Sequence, residues 1–200
     1  MKHILLLICL AVAVTAQAQE KIVIKETFEN NRLNWDEYYE KDYSCSLNDG
    51  YLELKSSKDD YTIWNITELP INMNDNFKIT AKFTVPKLND KYFFGILYNY
   101  EDGNNNSSFE VSEKRFILYN KVNGTKNINR QNTIILTAGK NKSVVIQMER
   151  RGGKLIFSVD DMEAVTITQE LKFATFGFVV NGANTIMVDE VTIESYVRED

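Results

Sequence analysis

Between Phe77 and Val85 the chain alternates without a break. Phe77, Ile79, Ala81, Phe83 and Val85 are apolar, and Lys78, Thr80, Lys82 and Thr84 between them are polar. Extended backbone sends successive side chains to opposite faces, so this run predicts a strand with one oily side and one wet side. The same period of two recurs down the chain, and no long stretch carries the spacing of an amphipathic helix. Pro86, which has no N–H to donate, is expected to end the strand.

Further strands are predicted over 21–28, 43–47, 51–55, 61–66, 92–100, 108–112, 115–120, 133–137, 143–150, 154–160, 173–181 and 185–196. Asp49-Gly50 and Gly152-Gly153 mark tight hairpins. The 92–100 run is apolar on both faces, which places it centrally in a sheet. Residues 101–107, with Asp102-Gly103 and three asparagines, read as an exposed loop, and the polar tail 197–200 as a frayed end. Many short strands with no crossover helices mean an all-β fold, an antiparallel sandwich or barrel.

The N-terminus is of a different kind. Lys2 and His3 precede an apolar run from Ile4 to Val14, and Ala16-Gln17-Ala18 comes next. A charged start, an oily middle and small residues at a cleavage point describe a secretory signal peptide over 1–18. Residues 19–200 then form a single domain in a secreted or periplasmic protein. The short leader and the Lys/Asn-rich composition have a bacterial look.

Cleavage would remove His3, the only histidine, and Cys9, one of two cysteines. A serine–histidine–aspartate mechanism and a histidine-bound zinc then have no imidazole to use. Cys45 has no internal disulfide partner, and a buried or half-buried thiol is expected. Loss of Lys2 takes the net charge from −5 to −6. A mildly acidic surface argues against nucleic acid and anionic membranes, and nothing after the leader is long and apolar enough for a membrane span.

Several segments in this order carry a resemblance. Glu26-Thr27-Phe28-Glu29-Asn30-Asn31 is followed by Trp35, then Gly50-Tyr51-Leu52-Glu53-Leu54. After these come 77–83, Phe94-Gly95-Ile96, the 141–148 and 153–159 hairpin, Phe176-Gly177-Phe178 and 188–193. Together they resemble the concanavalin A-like lectin/glucanase superfamily, in its laminin-G-like and bacterial secreted branches. The resemblance implies two curved antiparallel sheets in a jelly-roll sandwich, with ligands often bound on the concave face or at the rim loops. It also implies that Trp35 packs in the core.

Within that frame the Glu-x-Asp-x-x-Glu run of the glucanase branch is missing. Asp36-Glu37-Tyr38-Tyr39-Glu40 has the wrong spacing, and Asp160-Asp161-Met162-Glu163 reads as a hairpin tip. A lectin-like module that binds a glycan or polysaccharide without chemistry is therefore the leading expectation. Aromatic faces stack on sugar rings, and amides nearby meet hydroxyls. Trp64, Tyr98, Tyr100, Tyr119 and Asn181 are the candidates, with Tyr61 as a further one, and Tyr98 and Tyr100 are expected on one strand face. A structural Ca²⁺ at Glu26, Glu29 and Asp189 is the candidate metal site, if first and last strands pair. The alternatives are a glycosidase or polysaccharide lyase with non-standard carboxylates, and a cell-envelope domain that binds another protein.

Overall fold

The computed structural model describes residues 20–136 and 140–197. The predicted leader, with His3 and Cys9, lies outside these, as do residues 137–139 and 198–200. Every regular element among the described residues is a strand. In chain order they are β1 (Glu20–Glu26), β2 (Tyr38–Tyr39), β3 (Tyr43–Asn48), β4 (Tyr51–Ser56) and β5 (Thr62–Glu68). Then come β6 (Asn76–Lys87), β7 (Phe94–Asp102), β8 (Asn105–Val111), β9 (Arg115–Val122) and β10 (Thr125–Thr133). The chain closes with β11 (Lys140–Arg151), β12 (Lys154–Val159), β13 (Met162–Thr168), β14 (Thr175–Asn181) and β15 (Thr185–Val197).

The strands form two antiparallel sheets. One has nine strands, in the order β13-β12-β11-β6-β15-β4-β3-β2 with β1 also on β15, and the other has six, in the order β10-β9-β8-β7-β14-β5. First and last strands pair, Glu20 opposite Val197 through Glu26 opposite Val191. The fold is the expected two-sheet jelly-roll sandwich.

The alternation predicted for 77–85 holds residue by residue. Phe77, Ile79, Ala81, Phe83 and Val85 are buried on the inner face of β6. They meet Phe94, Ile96, Tyr98, Phe109, Phe116, Phe176 and Phe178 from the six-stranded sheet. Phe83 stands edge-on to Phe178 at 5.6 Å, and Phe157 stacks on Phe109 at 5.0 Å. Fully burying one such ring contributes roughly 2–3 kcal/mol, so this aromatic layer is a main source of stability. Trp35 is 2% exposed and stacks on Phe178 at 5.0 Å.

Several expectations are corrected. β6 runs through Pro86 to Lys87, because neither neighbour pairs with Pro86: β11 pairs Lys87 and Val85, and β15 begins at Thr84. No ladder hydrogen bond is lost there, so proline is tolerated. Residues 134–136 are not a strand, and the preceding hairpin arm is β10 instead. The expected loop over 101–107 shrinks to the Gly103-Asn104 turn between β7 and β8. Residues 182–184 cross from β14 in one sheet to β15 in the other. Val197 ends β15 rather than a frayed tail.

Cys45 is fully buried and accepts a hydrogen bond from Asn65 Nδ2 at 2.8 Å. Burial pushes its thiol up to about 12, so it stays protonated and unreactive at neutral pH.

Candidate functional site

The outward face of the six-stranded sheet carries an unusual patch. β5 alternates exposed Thr62, buried Ile63, exposed Trp64 and buried Asn65, so Trp64 points away from the core. It is left 38% exposed. β14 lies alongside, with Val179 opposite Trp64 and Asn181 opposite Thr62. Next in the sheet come Leu97 of β7, Ser108 and Glu110 of β8, and Tyr119 and Lys121 of β9, with Lys126 of β10 at the edge. Trp64, Leu97, Val179, Tyr119, Asn181 and the two lysines line a recess of about 170 Å³.

Four of the five proposed ligand residues, Trp64, Tyr100, Tyr119 and Asn181, gather here. The Tyr100 ring lies 6.5 Å from the indole at 45°. Tyr98 is elsewhere: it is fully buried in the core, 5.3 Å from Phe157, with its hydroxyl donating to Gln169 Oε1 at 3.1 Å. The expected shared face is broken by Asn99, whose φ is 49°. Asparagine tolerates that left-handed conformation, and one such residue shifts the side-chain parity of the strand beyond it. Asn99 Oδ1 accepts the N–H groups of Lys172 and Phe173, which ties the irregularity down. Tyr61 packs edge-on to Tyr43 and does not line the recess.

Beneath the patch sits Glu110, 1% exposed. Ser108 Oγ donates to its Oε1 at 2.7 Å, and Asn181 Nδ2 to its Oε2 at 2.6 Å. Thr62 Oγ1 donates to Asn181 Oδ1 at 2.6 Å, so the Asn181 amide is held in one orientation. Burial raises the Glu110 carboxyl above its ordinary range, opposed by Lys126 and by the Ser108, Tyr119 and Asn181 hydrogen bonds. Burial likewise raises the Tyr119 phenol, with the Glu110 charge adding to it.

The pH consequence has a definite sign. Folded Glu110 holds its proton more tightly than the unfolded chain does. Its contribution to stability is therefore present at low pH, and is lost as pH rises from the ordinary carboxylate range through the raised folded value. Glu110→Gln has no proton to lose. Its melting temperature should gain on the wild type as pH rises from about 4 to 8, in thermal scans run in parallel. All other titrating groups are common to the two proteins and cancel in the difference. Parallel curves would refute this assignment.

The walls of the recess are as well held as the floor. Asp102 Oδ1 accepts the N–H groups of Asn104 and Asn105 at 2.6 and 2.8 Å, which keeps its carboxyl below the usual range. Asn105 Oδ1 in turn accepts the Asn123 N–H, joining the β7–β8 turn to the β9–β10 turn. Lys121 Nζ donates to the Gly103 carbonyl at 2.7 Å. Gly103 itself lies against the Trp64 ring.

A wider depression of about 490 Å³ lies among loops near Lys87, Lys91, Tyr92 and Asn184. Its one aromatic is already engaged: Lys91 Nζ lies 4.7 Å from the Tyr92 ring, and the Tyr92 hydroxyl donates to Asp59. The Trp64 recess is the better candidate because its largest apolar surface is free.

The carboxylates proposed for calcium are placed differently. Glu26 is buried, and its two oxygens accept the N–H groups of Phe28 and Leu33, each at 2.8 Å. It staples the segment after β1. Asp189 Oδ2 accepts from Thr84 Oγ1 at 2.8 Å, and Glu29 lies by the Asp49-Gly50 turn. Among the described residues no group of three or more Asp, Glu, Cys or His side chains is arranged to hold a metal ion. These residues do not fit a calcium ion as they stand.

Sequence reasoning missed Glu110, Lys121, Lys126 and Thr62. Glu110 did leave a signal, as a lone acid between Phe109 and Val111 in a strand otherwise free of charge. The lysines flank Asn123-Gly124, a hairpin signal that also marks β10.

No family model matches the chain, and no curated protein matches it. Solved structures do. The carbohydrate-binding module CBM66 from Bacillus subtilis is 14% identical, with a TM-score of 0.57 over 78% of this chain and 94% of its own. The carbohydrate recognition domain of Emp47p is 11% identical, with a TM-score of 0.63 over 88% and 95%. The endo-β-1,3-glucanase from Pyrococcus furiosus is 12% identical, with a TM-score of 0.62 over 90% and 97%. Identities this low speak to backbone architecture alone. By its strand order, its closed pairing of first and last strands and these likenesses, the chain is a jelly roll of the concanavalin A-like fold.

Proposed function

We propose that this chain is a secreted or periplasmic, non-catalytic carbohydrate-binding module, with its glycan seated on the outward face of the six-stranded sheet. The observation that carries this reading is the state of the two tryptophans. Trp35 is in the core, whereas Trp64 is left in water beside Tyr100, over a floor of buried Val179 and Leu97. A free aromatic face next to fixed polar groups suits a sugar ring, whose C–H face is apolar and whose edge is ringed with hydroxyls. Asn181 and Asn106 supply the polar partners.

Two of the similar folds are carbohydrate-binding by name, which supports the reading, and one is a glucanase. Glycoside hydrolysis in most families uses two carboxylates facing the bond to be cut. No carboxylate is among the residues lining the recess, and the oxygens of Glu110 beneath it are taken up by Ser108 and Asn181. Binding without cleavage suits that arrangement better.

The test is affinity electrophoresis and calorimetry against a polysaccharide panel, with wild type and Trp64→Ala. At least one polysaccharide should bind. The variant should bind it about 30-fold more weakly, a loss of ~2 kcal/mol typical of an anchoring aromatic, and keep its melting temperature. A panel without a hit, or equal binding by a folded variant, would discard the reading.

A further inference from the structure

Lys121 of β9 and Lys126 of β10 are register partners. Directly opposed residues of an antiparallel pair share a sheet face, with Cβ atoms roughly 5 Å apart, and like charges so placed repel. Both line the recess that holds Trp64. None of the ion pairs among the described residues includes either lysine. Lys121 Nζ donates to a neutral carbonyl, and Lys126 Nζ lies 3.6 Å from the centre of the Tyr119 ring.

On the outward face of the nine-stranded sheet, two lysines meet one carboxylate. There Lys25 and Lys82 share the Glu190 carboxylate at 2.7 and 2.9 Å. The recess instead gathers two ammonium groups with no carboxylate at ion-pair distance, on a chain whose net charge is −5. The carboxylate below, Glu110, forms no ion pair with Lys126, although the Lys126 charge opposes the burial that raises the Glu110 carboxyl.

We infer that the recess selects an acidic glycan: a sugar ring on Trp64 whose carboxylate or sulfate is held by the Lys121 and Lys126 ammonium groups. This rests on the Trp64 platform proposed above and adds the charge class of the ligand. The anion would relieve the lysine repulsion, so a ligand contact replaces a carboxylate that the protein does not provide.

The experiment measures affinities of the full chain for three groups of polysaccharide at low and high salt. Polygalacturonate, alginate and hyaluronan carry carboxylates; carrageenan and dextran sulfate carry sulfates; galactan, laminarin and dextran are neutral. An acidic polymer should bind at least tenfold tighter than the neutral ones and weaken as salt rises. Comparing the first two groups identifies the anion. Lys126→Gln, and Lys121→Gln as a second variant, should lower the acidic-to-neutral affinity ratio at least tenfold, while Lys154→Gln on β12 leaves it unchanged. If neutral polymers bind as tightly and the lysine variants keep the ratio, the charge inference falls and the Trp64 reading stands. An equal drop in Lys154→Gln would assign the effect to bulk charge and also overturn the inference. If nothing binds, both fall together.

Discussion

Phe178→Ala should lose about 3–5 kcal/mol of stability and melt roughly 8–16 °C below the wild type. Phe178 is fully buried at the point where the sheets meet. Its ring stacks on Trp35 at 5.0 Å and stands edge-on to Phe83 and Phe176 at 5.6 and 5.5 Å. Those three neighbours come from the loop after β1, from β6 and from β14, so the hole left by alanine has walls on separate elements. Such walls cannot collapse together, and the cavity cost adds to the lost burial. Phe178→Leu, which keeps most of the volume, should cost less than half as much. Urea unfolding of the two variants checks this. A Phe178→Ala midpoint within error of the wild type would mean that the sheets do not close on this ring.

Gly95→Ala is expected to be nearly as damaging, at about 3 kcal/mol, although it adds a single methyl. Gly95 is the second residue of β7 and is paired on both sides, opposite Val179 on one and Glu110 on the other. A Cβ there would lie 2.1 Å from the Phe109 carbonyl oxygen and 2.8 Å from the Glu110 Cα. Both are backbone atoms, so β8 must move to make room. Movement of β8 carries Glu110 with it and disturbs the hydrogen bond that orients Asn181. The variant should therefore lose glycan binding even under conditions where it remains folded. Calorimetry below its melting point tests this second part, and unchanged affinity would show that the recess does not depend on that strand spacing. Gly177 is under the same constraint from the other neighbour of β14, because a Cβ there would lie 2.1 Å from the Asn65 carbonyl oxygen.

These two glycines help explain why the outward face can hold a recess. Side chains at Gly95 and Gly177 are missing from a sheet face whose other positions carry Leu97, Val179 and Trp64. Strands β5, β14, β7 and β8 approach closely there, and the larger neighbours stand around them. The same face thus combines tight backbone packing below with an exposed aromatic above.

Much of the candidate site was legible from residue type. Trp64 lies in a short strand where alternation sends it away from Ile63, and Asn181 ends a strand beside a turn. Tyr98 and Tyr100 look equivalent by the same logic, two residues apart in one run, yet one is core and the other lies beside the indole. The difference is the positive φ of Asn99, which no periodicity reveals. Glu110 is a harder case. A carboxylate in a strand reads as solvent-facing, and its burial depends on Ser108, Tyr119 and Asn181 closing over it.

Alternation is a local property: each side chain's face is set by its neighbours two positions away, so strands, their inner residues and the sandwich class can be worked out from the linear chain. Which strands become neighbours is not local. Thr62 and Asn181 are 119 positions apart and share a hydrogen bond, because β5 and β14 meet in the six-stranded sheet. Lys121 and Lys126 face each other because the Asn123-Gly124 turn sets their register. The recess exists only once the closing of two sheets over a common core has chosen that order, since the free energy of burial depends on the whole packed interior and not on any one segment.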